Sequence, residues 1–483
     1  MRFTLNKKTI GLFLGPLVFL LIMFGFQPEN MSEAAHAVLA STAWIAIWWI
    51  TEALPMAVTA LLPIVLFPLT GGSDIKAAVS GYSHPFIFLF IGGFILAIAL
   101  EKWWLHKRIA LVIINWVGTS KRMIILGFML ATAFLSMWIS NTATAVMMLP
   151  IGMAIIEKLR SDTEGKEENR FGTVLMLGIA YSASIGGIAT LIGTPPNLIL
   201  VGIIQETYNV DLSFFDWFKL ALPFAMVMLF ICWFYLTRFS FDIGTPSIPG
   251  GREEIRKQLK GLGKMSFEEK SVAVVFTLTA LAWISRSYLL EPILPAIDDT
   301  IIAIASAVLL FLLPASQKGE NLLQWDDAKK IPWGILLLFG GGISLAVAFD
   351  KSGLAEWIGN QFTLFEGMYL LIIILCLVAA VNFLTEITSN TATTAVILPL
   401  LAPLAVAVDT HPFLLMSAAA IAASCAFMLP VATPPNALVF GSGQIKMEEM
   451  MRAGFLLNLI SILLISLLIY FVMPLVWDLP VLY

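Results

Sequence analysis

The stretch SNTATAVMMLP at residues 140–150 returns as SNTATTAVILP at 389–399. From Ser140 to Ser389 is 249 residues, and FIGGFILAIALEK (90–102) and FGGGISLAVAFDK (339–351) keep that offset. Further on, IGTPPN (192–197) pairs with VATPPN (431–436) at an offset of 239. The difference of ten matches the length of SDTEGKEENR (161–170), a charged segment that the second half lacks. One constant spacing broken by one surface insertion is the mark of a duplicated structural unit. Whatever this chain folds into must be built twice.

Composition sets the solvent for that unit. Hydrophobic residues make up 59% of the 483 and charged residues 12%, which excludes an ordinary soluble domain. Apolar runs long enough to cross a bilayer, roughly 17–25 residues each, recur along the chain. Outer-membrane barrels would instead give ~10-residue alternating segments. The expected fold is an all-α membrane protein with about 11 transmembrane helices plus two re-entrant hairpins in an inverted-topology repeat. Spans are expected near 10–26, 36–52, 55–70, 84–100, 172–205, 218–238, 271–290, 300–314, 331–349, 413–443 and 453–476. The first of these reads as a retained membrane helix rather than a signal peptide, because its apolar run is long and no small-residue cleavage site follows.

The apolar blocks 123–156 and 367–405 each carry Ser-Asn-Thr at the middle. Each is too long for one span and too short for two, so each is expected to enter, turn at the motif and leave on the same side. Such polar turns are tolerated at membrane depth only where protein or a water-filled cavity covers them. This threading places 24 of the 28 Lys and Arg residues on one face, which the positive-inside rule makes cytoplasmic. The amino terminus is then inside and the carboxyl terminus outside, as in a bacterial inner membrane. Five crossings separate the hairpins, so the first enters from the cytoplasm and the second from outside. Inverted repeats of this kind characterise secondary transporters, which bind their substrate near the bilayer midplane. The chain divides into N-terminal scaffold helices (1–80), a first repeat (81–238), a cytoplasmic connector (239–270), linking scaffold helices (271–330) and a second repeat (331–483).

Enzymatic chemistry finds no support. Cys232, Cys376 and Cys425 are isolated, His36, His84, His106 and His411 form no ligand-spaced pair, and no Walker loop or dinucleotide fingerprint appears. No nucleophile–base constellation is visible, and nothing suggests a nucleic-acid partner. The motif-bearing segments 123–156, 172–205, 367–405 and 413–443 contain no Arg or Lys. An anion bound there must rely on backbone N–H groups and helix dipoles at the broken helices, helped by Asn amides and Thr hydroxyls. Carbonyl and hydroxyl oxygens at the same breaks suit a small hard cation, which would supply the positive charge that lysines do not. The Thr-Pro-Pro-Asn copies are expected to interrupt their helices, since proline removes a donor and clashes with the preceding turn. Gly92-Gly93 and Gly341-Gly342 read as close-packing positions. Glu386 is the one acidic residue in these segments, either paired with a cation or proton or capped. Residues 101–118 read as an amphipathic interfacial helix, and Trp44, Trp48, Trp49, Trp103 and Trp104 as interfacial anchors.

At the paired SNT and Thr-Pro motifs the chain resembles the divalent-anion/sodium symporter family over nearly its whole length. The resemblance implies Na+ as the coupling ion and a dicarboxylate, citrate or sulfate as substrate. It implies a first sodium site at Ser136, Ser140, Asn141 and the backbone of Gly193. A second is implied at Thr385, Thr388, Asn390 and the backbone of Ala432 and Pro434. Substrate carboxylates are implied to meet Asn141 and Thr142 from one hairpin, and Ser389, Asn390 and Thr391 from the other, near Thr433 and Pro434. It further implies a homodimer in membrane lipid, working as an elevator, with 101–118 and 350–366 as arms. The expected function is sodium-coupled symport of C4-dicarboxylates (succinate, malate, fumarate). The alternatives are a dicarboxylate exchanger, a citrate or sulfate carrier, and an anion channel.

Overall fold

The structure, a computed structural model, describes residues 6–26, 28–118, 120–162, 166–241, 243, 251–317, 319–362 and 367–479. Parts of the expected insertion (163–165), connector (242, 244–250) and second arm (363–366), and both chain ends, lie outside the described residues. Every extended element among those described is helical, and strand pairing is limited to one bridge between Pro314 and Asn321. That is the outcome expected where lipid offers the backbone no hydrogen-bond partners.

Among the described residues, ten helices are long and apolar enough to cross a membrane. Eight coincide with expected spans. The other two, Asn141–Leu159 and Asn390–Ala407, are hairpin arms rather than independent crossings. Conversely, the expected spans at 55–70 and 300–314 hold the shorter helices Met56–Thr70 and Asp299–Leu312, and that at 413–443 is split into Pro412–Ala423 and Pro434–Gly441. Proline explains two of these shortfalls: Pro314 follows one helix end, and Pro430 and Pro434 interrupt the last segment.

Both hairpins are present. Lys121–Ser136 and Asn141–Asp162 are joined by four residues, as are Leu370–Thr385 and Asn390–Ala407. The motif serine starts each returning arm: Ser140 Oγ accepts from Ala143 N at 3.3 Å and Ser389 Oγ from Ala392 N at 3.5 Å. This is the ordinary preference for a serine before a helix, met at the turn of a hairpin. The Thr-Pro-Pro-Asn segments break their helices as expected. Lys166–Ile188 stops before Pro195–Tyr208 begins, and Pro412–Ala423 before Pro434–Gly441, with tandem prolines opening each second piece. The halves interlock, since Lys166–Ile188 packs on Pro434–Gly441, and Pro195–Tyr208 on both Asn390–Ala407 and Trp333–Ser352.

The diglycines are contact points. A Cβ on Gly92 would stand 2.6 Å from the Ala303 backbone, and one on Gly341 would stand 2.8 Å from the Ala60 carbonyl. The tryptophans divide. Trp104 is exposed, but Trp48 and Trp49 are buried, Trp49 donating from Nε1 to the Met56 carbonyl at 3.2 Å. Trp44 and Trp48 instead receive Gly15 of the first helix, Lys7–Gly25. Reading these two as interfacial anchors is therefore corrected: the N-terminal helix covers them. Residues Leu105–Val117 do form a helix with one buried face, Leu105, Ala110, Leu111 and Ile114.

Candidate functional site

Four helices begin at one cavity of about 660 Å³. Ser140, Asn141 and Thr142 bring the returning arm of the first hairpin. Ser389, Asn390 and Thr391 bring that of the second, while Thr194–Pro195 and Thr433–Pro434 open the second pieces of the two broken helices. The two hairpin arms contribute first-turn backbone N–H groups without intrahelical partners, whereas the broken helices open on Pro-Pro, which has no N–H, and contribute the positive end of their dipoles. Both features attract anionic oxygens. Phe90, Phe94, Ile192 and Ile335 line the remaining wall.

The expected site residues fall into two shells around this space. Ser140, Asn141, Thr142, Gly193, Thr388, Ser389, Asn390, Thr391, Ala432, Thr433 and Pro434 all line it. Ser136 and Thr385 lie behind, fully buried. Ser136 Oγ is 2.5 Å from Asn141 Oδ1 and 2.7 Å from the Ala183 carbonyl. At the equivalent position Thr385 Oγ1 is 2.7 Å from Asn390 Oδ1 and 3.0 Å from the Ala423 carbonyl. A hydroxyl has one proton and cannot satisfy two acceptors at once. Each cluster is thus rich in hard oxygen lone pairs and short of positive charge, the donor set a sodium ion takes. Thr388 differs: its hydroxyl is engaged with the Leu384 carbonyl at 2.8 Å and with Thr393 Oγ1 at 2.7 Å.

The broken backbones are held by residues whose role the motifs did not reveal. Asn197 Nδ2 reaches the carbonyls of Gly187, Ile188 and Thr190 at 3.2, 3.2 and 2.8 Å. Its counterpart Asn436 reaches those of Ala426 and Leu429 at 3.2 and 3.1 Å. The asparagine of each Thr-Pro-Pro-Asn thus ties the second helix piece to the carbonyls freed by the break. Gly187 is a further missed position, where a Cβ would lie 2.6 Å from Asn141 Oδ1. Lys7 is a third. It lines the cavity with Glu52 and donates from Nζ to the Ile387 carbonyl at 3.1 Å, bringing a cation to the site from outside the four motif segments. Only the tertiary fold brings residue 7 to residue 387.

Fold and site define the class: a multi-pass integral membrane transporter of the inverted-repeat kind. The model of the sodium:sulfate symporter transmembrane region matches residues 6–478, and the chain belongs to that family. It is 49% identical over 475 residues to a sodium-dependent dicarboxylate transporter of Staphylococcus saprophyticus, covering 97% of this chain and 92% of that one. To a protein of the same description from Staphylococcus aureus it is 47% identical over 482 residues, covering 98% and 93%. Among solved structures it resembles Neisseria gonorrhoeae MtrF, with a TM-score of 0.56, 14% identity and coverage of 96% and 95%. It also resembles the Alcanivorax borkumensis YdaH transporter, with a TM-score of 0.58, 12% identity and 96% of each chain covered. At such identity these two speak for the fold alone.

Proposed function

We propose that this protein is a secondary active transporter that uses a sodium gradient to carry C4-dicarboxylates such as succinate, malate and fumarate across the bacterial inner membrane. The observation that carries this reading is the convergence of four helix N-termini on one cavity, backed by a cluster of oxygen atoms behind each hairpin turn. The names of relatives 47–49% identical over nearly the full chain support the same ion and the same substrate class.

In this mechanism one carboxylate of the substrate meets Asn141 and Thr142 and the other meets Ser389, Asn390 and Thr391, near Thr433 and Pro434. One sodium sits among Ser136, Ser140, Asn141 and the Gly193 backbone. The other sits among Thr385, Thr388, Asn390 and the backbone of Ala432 and Pro434. Each Asn side chain spends its oxygen on a cation and leaves its N–H groups for the anion, so the anion site is complete only when the cations are bound. The repeats alternate access by an elevator motion of hairpins and broken helices against the scaffold helices, within a homodimer whose amino termini are cytoplasmic and carboxyl termini external.

Proteoliposomes containing the purified protein should take up labelled succinate only when sodium is imposed outside, with malate and fumarate competing better than citrate or sulfate. Asn141→Ala or Asn390→Ala should abolish that uptake while the protein still inserts and stays monodisperse. Succinate flux indifferent to the sodium gradient would overturn the coupling.

A further inference from the structure

The two halves clamp their broken helices to their hairpins at the same place by opposite chemistry. In the first half Thr190 Oγ1 donates to the backbone carbonyl of Met137 at 2.5 Å, and Gly193 N donates to that Oγ1 at 3.1 Å. The offsets of 249 and 239 carry Met137 to Glu386 and Thr190 to Leu429. There the roles are exchanged. The Glu386 carboxylate is the side-chain partner, and it accepts from the backbone N–H groups of Phe427 at 2.7 Å, Met428 at 2.9 Å and Leu429 at 3.0 Å. Asn458 Nδ2 adds a fourth donor at 2.7 Å from the helix Met447–Leu467.

Glu386 is only 3% exposed and does not line the cavity, and both its carboxylate oxygens are already engaged by these four donors. Its hydrogen bonds lead to one of them. Leu429, held by its N–H, accepts from Ala432 N at 3.2 Å, which places the turn whose carbonyl is assigned to the second cation. On the other side Glu386 follows Thr385, whose hydroxyl belongs to the same cluster. Removing a buried carboxylate that satisfies four donors strands all four, the costly direction of the hydrogen-bond balance. Its negative charge has no equivalent at Met137, and in a low-dielectric interior such a charge favours a cation nearby.

We propose that Glu386 is the positioning residue of the second cation site: its clamp on residues 427–429 sets the backbone of that site, and its charge favours the cation held there. This rests on the reading of the hairpins as sodium sites.

The test is the sodium dependence of succinate uptake in proteoliposomes for the wild type, Glu386→Gln and Asn458→Ala. Glu386→Gln should raise the half-saturating sodium concentration about tenfold, the scale of one charge-assisted hydrogen bond. The succinate KM at saturating sodium should stay within about twofold of wild type. Asn458→Ala keeps the carboxylate and removes one donor, and should shift the sodium curve the same way by about threefold, which leaves the proposal testable if the Gln variant does not fold. Glu386→Asp should restore part of the sodium affinity. A lowered maximal rate with an unmoved sodium curve in the Gln variant, or in Asn458→Ala when the former is not recovered, would make the residue merely structural and overturn the proposal. Sodium-independent uptake by the wild type would be a different failure, that of the transport reading itself.

Discussion

Ser136 Oγ stands 2.5 Å from Asn141 Oδ1, across the turn of the first hairpin, and shares its single proton with a second acceptor, the Ala183 carbonyl. Ser136→Ala leaves the backbone and the Asn amide in place and removes one oxygen. The half-saturating sodium concentration should rise about tenfold with a small change in melting temperature, from loss of one hydrogen-bonding group worth ~1–1.5 kcal/mol. Sodium titration of uptake checks it, and an unaltered curve would remove Ser136 from the first cation site.

Gly187→Ala tests the same site by steric means. The added Cβ would fall 2.6 Å from Asn141 Oδ1, so the amide must rotate or the broken helix must shift. Overpacking of this kind costs typically ~1–3 kcal/mol. Uptake should fall at least about tenfold, with sodium affinity affected more than folding. Ala426, at the equivalent place in the second half, already carries that methyl group, so Ala426→Gly should be mild.

Asn197→Leu should lower stability by about 1–3 kcal/mol, because the Gly187 and Thr190 carbonyls at the break lose their side-chain donor, while that of Ile188 keeps Trp217 Nε1. Thermal unfolding in detergent reads it directly. A melting curve indistinguishable from wild type would mean that the break is held by its prolines alone.

Lys7→Gln addresses the lysine that lines the cavity. Its side chain is exposed, so stability should change by less than about 1 kcal/mol. The succinate KM should instead rise about two- to fivefold at low ionic strength and approach wild type at high salt. A salt-independent effect would point to contact with the Ile387 carbonyl rather than to charge.

Much of the fold was legible in the chain itself. Hydrophobic runs marked eight of the ten long membrane helices, and the doubled motifs located both hairpin turns and both helix breaks. Eleven of the thirteen expected site residues line one cavity, and Ser136 and Thr385 lie directly behind their asparagines. These features repeat as short local patterns, and a pattern repeated at fixed spacing can be read without knowing what it touches. Trp44 and Trp48 were misplaced because the sequence does not say which neighbour covers an aromatic ring.

What the sequence by itself determined is a membrane-bound fold made of two copies, with polar turns at known positions and no lysine or arginine in the four segments that carry the motifs. What only the tertiary structure decided is partnership: Lys7 against Ile387, Gly187 under Asn141, and Glu386 beneath three backbone N–H groups and Asn458. The physical reason is range. Helix periodicity, caps and proline breaks act within a few residues, whereas a buried carboxylate is satisfied by whichever donors the packed fold delivers, here 41 and 72 residues away.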